Sequence, residues 1–555
     1  MVSLMTRLTA RVTDENRRWW ALATLCLSLI VVTIDTTILN VALPSLVRDL
    51  HATSSGLEWI VDAYTVVFAG LLLSAGSLGD RFGRKGTLST GLVLFAVASG
   101  ASALATSSSQ LIALRALTGV GAALVFPATL SILTNLFPDA VERQRAIAIW
   151  AGTAGIGIGL GPVVGGLLLR HFYWGSVFWV NVPMCAIALV AGAFLVPASR
   201  NPDHAPLDPP GALLSIVGLS SLVYAIIDGP SAGWTSGRVL GVFALALLTL
   251  TGFVVLELRR AEPMLDLRLF RNPRFTAASL AVTTLYFCLF GTIFFQTQQL
   301  QTVLGYDPLG AGLRSVPFAV VLLVVANNTP RVVRWAGTRA VITTGLSIVA
   351  IAMAMRAAFD VNTGYPAILI SQCVFALGMG LTIAPATASI MGAVPSARAG
   401  VGSAINDTTR QVGGAIGVAV MGSIGASLYR SSIADSLSGV KLPAAVSAHA
   451  LDSVGAALGA ARTLPAQQAR VVQVDARTAF VHGLSVSSTV GLGVAILGAG
   501  LAWKFLPAGM SVGATPAAPL SPISGPFTTS DGSDEPEYAA VGASIEHNSG
   551  GSHAG

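Results

Sequence analysis

Gly76-Ser77-Leu78-Gly79-Asp80-Arg81-Phe82-Gly83-Arg84-Lys85-Gly86 sets four glycines, one acid and three cations between two long apolar runs. Glycine lets the backbone turn sharply and hydrocarbon expels clustered charge, so the stretch reads as a tight polar turn between two membrane-crossing helices. Composition agrees. Of 555 residues 53% are hydrophobic and only 10% charged, with a mean hydropathy of +0.72, which no ordinary soluble surface accommodates. A run of about 20 apolar residues crosses a bilayer, where only a helix satisfies its own backbone hydrogen bonds. Fourteen such runs are read, at 20–43, 58–78, 87–106, 111–135, 145–169, 176–197, 210–228, 237–257, 275–298, 310–331, 339–358, 365–391, 400–428 and 479–505. The expected fold class is an all-α polytopic membrane protein.

Orientation follows from the arginines, because short cytoplasmic loops retain positive charge. An even number of runs puts both ends on one side, the side of Arg7, Arg11, Arg17 and Arg18, of Arg81, Arg84 and Lys85, and of Arg143 and Arg145. Arg259, Arg260, Arg268, Arg271, Arg274, Arg331, Arg334 and Arg398 fall there too. Both termini are expected in the cytoplasm of a bacterial cell, and the net charge of +6 reflects this topology rather than a nucleic-acid partner. The first run is too long for a cleaved signal peptide and reads as an uncleaved anchor.

Cys26, Cys185, Cys288 and Cys373 all lie within apolar runs and lack the spacing of a metal site or disulfide framework. The seven histidines show no metal spacing, and no Gly-x-x-x-x-Gly-Lys-Ser/Thr stretch is present. No metal, cofactor, ATP chemistry or enzymatic activity is expected. The segment 429–478 is Ala-rich and expected outside, holding one or two short amphipathic helices; 506–555, rich in Pro, Ser and Gly, is expected to be a disordered cytoplasmic tail.

An internal repeat organises the spans. Pro127-Ala128-Thr129-Leu130-Ser131-Ile132-Leu133 returns as Pro385-Ala386-Thr387-Ala388-Ser389-Ile390-Met391, an offset of 258, each preceded by Gly-x-Gly. Gly83-x-Lys85 with Thr90-Gly91-Leu92 matches Gly337-x-Arg339 with Thr344-Gly345-Leu346 at 254, and Arg145-Ala146 matches Arg398-Ala399 at 253. The chain is therefore read as a cytoplasmic segment 1–19, a six-helix bundle 20–197, an inserted helix pair 198–274 and a second bundle 275–505. Parallel repeats of this kind place a substrate path between the halves near the midplane.

Ionisable residues inside the bilayer cost at least about 2.5–3.5 kcal/mol each unless paired or hydrated, which makes Asp35, Asp62, Arg115, Asp407 and Arg410 the first site candidates. At ~1.5 Å per residue Asp35 lies about 12 Å, and Arg115 about 6 Å, inward of the outer ends of their runs. Asp35, Arg115 and Asp62 are expected to form one charged cluster whose proton affinity changes with conformation; for Asp62, beside Glu58 and Trp59, a solvated helix end is the competing reading. Asn406, Asp407, Arg410 and Gln411, with Asn40, Tyr64, Phe126 and Gln296, are candidates to line a substrate cavity. The scarcity of carboxylates in the second half favours a neutral or monocationic amphiphile over a dication.

These stretches resemble a known family. Gly76 to Lys85 is similar to the loop motif of the major facilitator superfamily, and Arg115-Ala116-Leu117-Thr118-Gly119-Val120-Gly121 to its motif with an intramembrane arginine. Gly155 through Gly161-Pro162-Val163-Val164-Gly165-Gly166 resembles the antiporter motif, and Asp35-Thr36-Thr37-Ile38-Leu39-Asn40 the first-helix signature of the fourteen-helix drug:proton antiporters of EmrB/QacA type. The resemblance covers about residues 20–505 and implies a multidrug exporter of the cytoplasmic membrane driven by the proton gradient, with protons, lipid and a small amphiphile as partners. Independently of it, Gly76, Asp80, Arg81, Gly83, Arg84 and Lys85 suit a latch that gates the pathway. Gly155, Gly159 and Gly165 are read as one close-packing face, with Gly161 and Gly166 in the same motif and Pro162 bending the helix. An uptake symporter of the same fold and a non-transporting receptor are the alternatives. Trp174 and Asn181-Val182-Pro183 are read as structural only.

Overall fold

Side-chain oxygens of Thr53, Ser107, Asp208, Ser236, Asn272 and Asp307 each accept a backbone N–H two or three residues on, starting six helices where the polar loops predict them. The computed structural model describes residues 14–199, 208–260, 263, 265–394, 399–440 and 442–507, with the backbone alone at 14, 15, 73, 77, 80, 140, 141, 144, 148, 151, 154, 399–401 and 403. No strand occurs among them. The first half comprises α1 (Asp14–Leu50), α2 (Ser54–Phe82), α3 (Arg84–Ser102), α4 (Ser108–Leu136), α5 (Ala140–His171), α6 (Ser176–Trp179) and α7 (Asn181–Leu195). The inserted pair is α8 (Pro209–Ala232) and α9 (Gly237–Arg259). The second half comprises α10 (Pro273–Gln298), α11 (Pro308–Leu313), α12 (Val316–Ala336), α13 (Thr338–Ala357), α14 (Tyr365–Gly392), α15 (Ala399–Leu437), α16 (Ala444–Asp452), α17 (Val454–Ala461) and α18 (Ala466–Phe505).

Twelve helices among the described residues are long and apolar enough to cross a membrane. Two further elements of the expected fourteen, α3 with 19 residues and α5 with 32, fall outside that set yet pack lengthwise in the first bundle, α3 against α4 and α5 against α1. The outer surface is apolar: Leu247 and Leu248 of α9 are 71% and 72% exposed, as lipid-facing side chains are.

The repeat seen in sequence recurs in packing. A Cβ on Gly91 (α3) would stand 3.0 Å from the Gly121 carbonyl oxygen (α4), and one on Gly345 (α13) 2.8 Å from that of Gly378 (α14). Returning the contact, a Cβ on Gly121 or on Gly378 would stand 2.9 Å from the backbone nitrogen of Phe95 or of Val349. Gly83 and Gly337, the single residues linking α2 to α3 and α12 to α13, take φ of 106° and 81°. The inserted α8 lies between the halves. Its Val223 and Ile227 pack with Val66 of α2 and with Ala415 and Ala419 of α15, and the Ile226 carbonyl accepts from Ser423 of α15 at 2.8 Å.

The helices outrun their apolar cores. The segment expected as an external loop from 429 to 478 is helix up to Leu437 and again from Ala466, because Ile433, Val472 and Ala476 are buried against neighbours. Two short helices, α16 and α17, fill the remainder and seat on both halves: Ser54 of α2 donates to the Asp452 carbonyl at 2.7 Å, and Tyr429 of α15 to that of Ala450 at 2.8 Å. The expected tail lies outside the described residues from 508 onward, as do the N-terminal 13 residues.

Backbone at φ 106° is a glycine conformation that costs other residues about 1–3 kcal/mol. Gly83→Ala is therefore expected to lower the unfolding temperature in detergent, whereas Gly86→Ala, in a helix with nothing within 4 Å of its Cβ position, leaves it unchanged. Equal melting of the two variants would remove the link between the turn and stability.

Candidate functional site

Asp35 lies on the inner face of α1, with no exposed surface, and Arg115 of α4 is 1% exposed. Arg115 Nη1 stands 2.6 Å from Asp35 Oδ2, and its Nε donates to the Ile60 carbonyl of α2 at 3.2 Å. The guanidinium also covers the Tyr64 ring at 4.4 Å. The other carboxylate oxygen, Asp35 Oδ1, accepts from Asn181 Nδ2 at 2.8 Å, and the same amide reaches Ser99 Oγ at 3.3 Å. One buried carboxylate thus collects α4 and α7 onto α1, with charge and hydrogen bonds both satisfied. Asn181, read from sequence as structural, is the second partner of the acid; its position opening an apolar helix gave no signal of what it faces.

Asp62 does not join this cluster. Helical rotation of ~100° per residue sets Asp62 and Tyr64 on opposite sides of α2, so with Tyr64 under Arg115 the acid faces away. It is fully buried rather than a solvated helix end, neither oxygen has a hydrogen-bond partner, and Glu58 one turn earlier is 1% exposed. Glu58 Oε2 accepts from Ser423 Oγ of α15 at 3.3 Å, placing this second acidic face where the halves meet.

A cavity lies between the halves, lined by Thr37 and Asn40 of α1, Ile158, Gly159 and Pro162 of α5, and residues of α10, α12, α13 and α14. Asp35 and Thr37 are two residues apart, so they occupy opposite sides of α1: one side holds the ion pair, the other the cavity. Among the expected cavity residues Asn40 and Gln296 line it. Tyr64 and Phe126 do not; they belong to an aromatic row with Phe68 and Trp150 inside the first bundle, at ring separations of 5.5–5.8 Å. Asn406, Asp407, Arg410 and Gln411 are also absent from the lining. Arg410 Nη1 meets Asp407 Oδ1 at 3.4 Å and Nη2 meets Thr387 Oγ1 at 3.2 Å, tying α15 to α14. The cavity contains one charged residue that sequence reading passed over, Arg356 of α13, 1% exposed and with Nη1 and Nη2 unpartnered. An arginine ending an apolar run on the face opposite the arginine-rich loops was the available signal.

The glycines of α5 divide between α1 and two helices of the second half. A Cβ on Gly161 would stand 3.1 Å from the Ile34 oxygen and one on Gly165 3.1 Å from the Ile38 oxygen, both on α1. Gly159 instead faces Ala319 of α12 at 2.7 Å and Gly166 faces Leu309 Cα of α11 at 2.7 Å, whereas Gly155 has nothing within 4 Å. Gly155, Gly159 and Gly165 therefore do not form one face: 159 and 165 are ~120° apart around the helix. In the loop motif, Arg84 donates to the Ser131 carbonyl at 3.2 Å and Lys85 to that of Ala193 at 2.8 Å, cations meeting the C-terminal ends of α4 and α7. Arg81 lies over Phe82 and Gly76 beside Pro127. The Asp80 side chain, expected in the latch, is outside the described residues.

Two helical halves joined by an inserted pair, with a buried ion pair in one half and a cavity between them, are the architecture of a multi-pass membrane transporter. Residues 25–418 match the model of the Major Facilitator Superfamily, and the chain belongs to that family. It is 38% identical over 479 residues to the multidrug efflux pump LfrA of Mycolicibacterium smegmatis, covering 86% of this chain and 94% of the relative. It is 32% identical to the tetracenomycin C resistance and export protein of Streptomyces glaucescens (88% and 91% covered) and 33% to the methyl viologen resistance protein SmvA of Salmonella typhimurium (85% and 95%). Among solved structures, a bacterial homolog of the human lysosomal transporter Spinster, inward-facing and occupied, superposes with a TM-score of 0.62 at 16% identity over 88% of this chain and 96% of that one. A D-xylose-proton symporter gives 0.55 at 14%, over 88% and 98%.

Removing Arg115 alone strands a buried carboxylate, which costs about 3–5 kcal/mol. Arg115→Leu is expected to lose most folded protein, and Asp35→Asn combined with Arg115→Leu to recover it without recovering transport. Chromatography of the detergent extract measures this; a double variant no better folded than the single would show that the pair is not the source of the loss.

Proposed function

We propose that the protein exports amphiphilic small molecules across the bacterial cytoplasmic membrane in exchange for incoming protons, with the proton gradient as its energy source and no cofactor. Fourteen crossings then place both termini in the cytoplasm. The supporting observation is α1 itself, with Asp35 bound to Arg115 behind it and Thr37 and Asn40 lining the cavity in front. The efflux pump and the export protein among its relatives support the outward direction.

The chemistry of the exchange rests on one atom pair. A proton arriving at Asp35 replaces the ionic contact to Arg115 with a neutral one, and the guanidinium is left without a counter-charge in a low-dielectric core, where opposite charges attract far more strongly than in water. The favoured rearrangement moves α1 or α4 until that cation finds new acceptors. Because Gly161 and Gly165 let α5 touch the backbone of α1, such a shift reaches the cavity wall directly. Release of the proton restores the pair. Asp62, buried without a partner at the junction of the halves, is a second candidate to carry a proton between states. The cations of the loop motif, anchored on the ends of α4 and α7, hold the first half as one body during the movement.

The substrate is a neutral or singly charged amphiphile, since the cavity offers amides, hydroxyls and apolar walls and no carboxylate among its lining residues. The monocation expected from sequence is disfavoured by Arg356.

Inside-out vesicles with an acid lumen are expected to accumulate a lipophilic dye through the wild type, and to lose at least 90% of that uptake with Asp35→Asn at equal protein content. Undiminished gradient-driven uptake through Asp35→Asn would remove Asp35 from the coupling step, and uptake that occurs only with the gradient reversed, acid outside, would indicate a symporter.

A further inference from the structure

Arg356 is the only charged side chain lining the central cavity among the described residues. It is 1% exposed, and neither Nη1 nor Nη2 has a hydrogen-bond partner; its aromatic neighbour Phe359 has its ring centre 5.8 Å from the guanidinium carbon, the outer limit of a cation–π contact. On the facing helix α14, Gln372 is 2% exposed with both amide atoms unpartnered, and Ser371 is 1% exposed with its hydroxyl unpartnered. Both line the same cavity. Three side chains that each require partners when buried therefore converge on one space, and these atoms find none among the described residues.

A guanidinium sealed from water is among the most costly groups a protein can carry alone, and its planar array of N–H donors matches a carboxylate in a two-point contact. The rest of the wall is apolar, supplied by Ile158, Leu289, Ile293, Phe318 and Phe375. The complementary molecule thus has one acidic end and a hydrophobic body.

We infer that the central cavity is a binding site for amphiphiles bearing a single acidic group, a carboxylate or an ionised phenol or enol, which pairs with Arg356 while Gln372 and Ser371 complete its hydrogen bonds. This rests on the export function proposed above and narrows its substrate class: acidic and neutral acceptor-bearing compounds are carried, and lipophilic cations are excluded by the buried positive charge. A small inorganic anion shares the acidic chemistry but leaves the apolar wall unused.

The test is equilibrium binding to the purified full-length protein, with no gradient, of 1-naphthaleneacetate, its neutral amide, tetraphenylphosphonium and acetate. The acid is expected to bind at least tenfold more tightly than the amide and more tightly than the cation. That ratio should fall to about one in Arg356→Gln and be partly kept in Arg356→Lys. Without ligand, Arg356→Gln should melt above the wild type, since an unpaired buried cation has been removed, and a variant melting below the wild type would show that Arg356 is already satisfied. Equal binding of acid and amide, tighter binding of tetraphenylphosphonium, or a ratio unmoved by Arg356→Gln would each overturn the inference. Acetate binding as tightly as 1-naphthaleneacetate would assign the site to a small anion instead. Acid-selective binding without gradient-driven transport would leave the site standing and remove the export reading; Asp35-dependent export of tetraphenylphosphonium with no acid selectivity would do the reverse.

Discussion

The contact between Asp35 and Arg115 governs the first half of this molecule, because it is the condition under which two charges can exist at that depth. Hydrocarbon offers neither ion any hydration, so each depends on the other and on the polar atoms around them. Satisfying Asp35 draws in Arg115 from α4 and Asn181 from α7, and satisfying Arg115 draws in the Ile60 carbonyl and the Tyr64 ring from α2. Four helices meet at this one ion pair. An arrangement so fully determined by one charge is one that a single proton can disturb, and in the proposed exchange the same contact serves both architecture and coupling.

Glycine transmits the disturbance. Where α5 meets α1 at Gly161 and Gly165, and α15 meets α10 at Gly413 and Gly417, there is no side chain between the backbones to absorb a displacement. A Cβ on Gly413 would stand 3.0 Å from Thr283 Cα, so the second half repeats the device without the proline. Helices in such contact slide or rock as rigid rods. The inserted α8, wedged between α2 and α15, adds apolar contact at the line where the halves join.

How much of this was legible in sequence depends on which physical signal each feature leaves. Hydropathy marks hydrocarbon, not helix, so it located the spans and missed their polar extensions such as 44–50 and 466–478. Repeats survive as identical residues where a turn takes positive φ or where backbones touch, which made Gly83 and Gly337, and Gly91 and Gly345, visible in advance. The side of a helix a residue occupies is weakly encoded when every side is apolar. Tyr64 and Phe126 were expected in the cavity and lie in the core of a bundle, while Arg356 and Gln372 were passed over and lie in the cavity. Angular bookkeeping alone would have separated Asp62 from Tyr64, and Gly159 from Gly165. That Asn181 reaches Asp35 across 146 positions was beyond any local pattern.

The two halves have diverged in where they keep their buried cation, and the divergence suits an exchanger. In the first half it is Arg115, neutralised by an acid of the same half; its counterpart at the offset of the Pro-Ala-Thr repeat is Cys373, which carries no charge. In the second half Arg410 is met by Asp407, whereas Arg356 has no acid partner among the described residues. On the proposed reading the pair in the first half, complete without a ligand, responds to a proton, while Arg356 in the second half, incomplete without a ligand, takes an anion. The membrane potential treats this pairing favourably. An elementary charge moved across 100 mV is worth about 2.3 kcal/mol, so one proton entering as one monoanion leaves draws on about twice that, whereas a monocation exchanged for one proton draws on none of it. A cavity holding an unpaired cation can therefore run on the electrical part of the gradient as well as the chemical part, and needs no carboxylate shared between proton and substrate to do so.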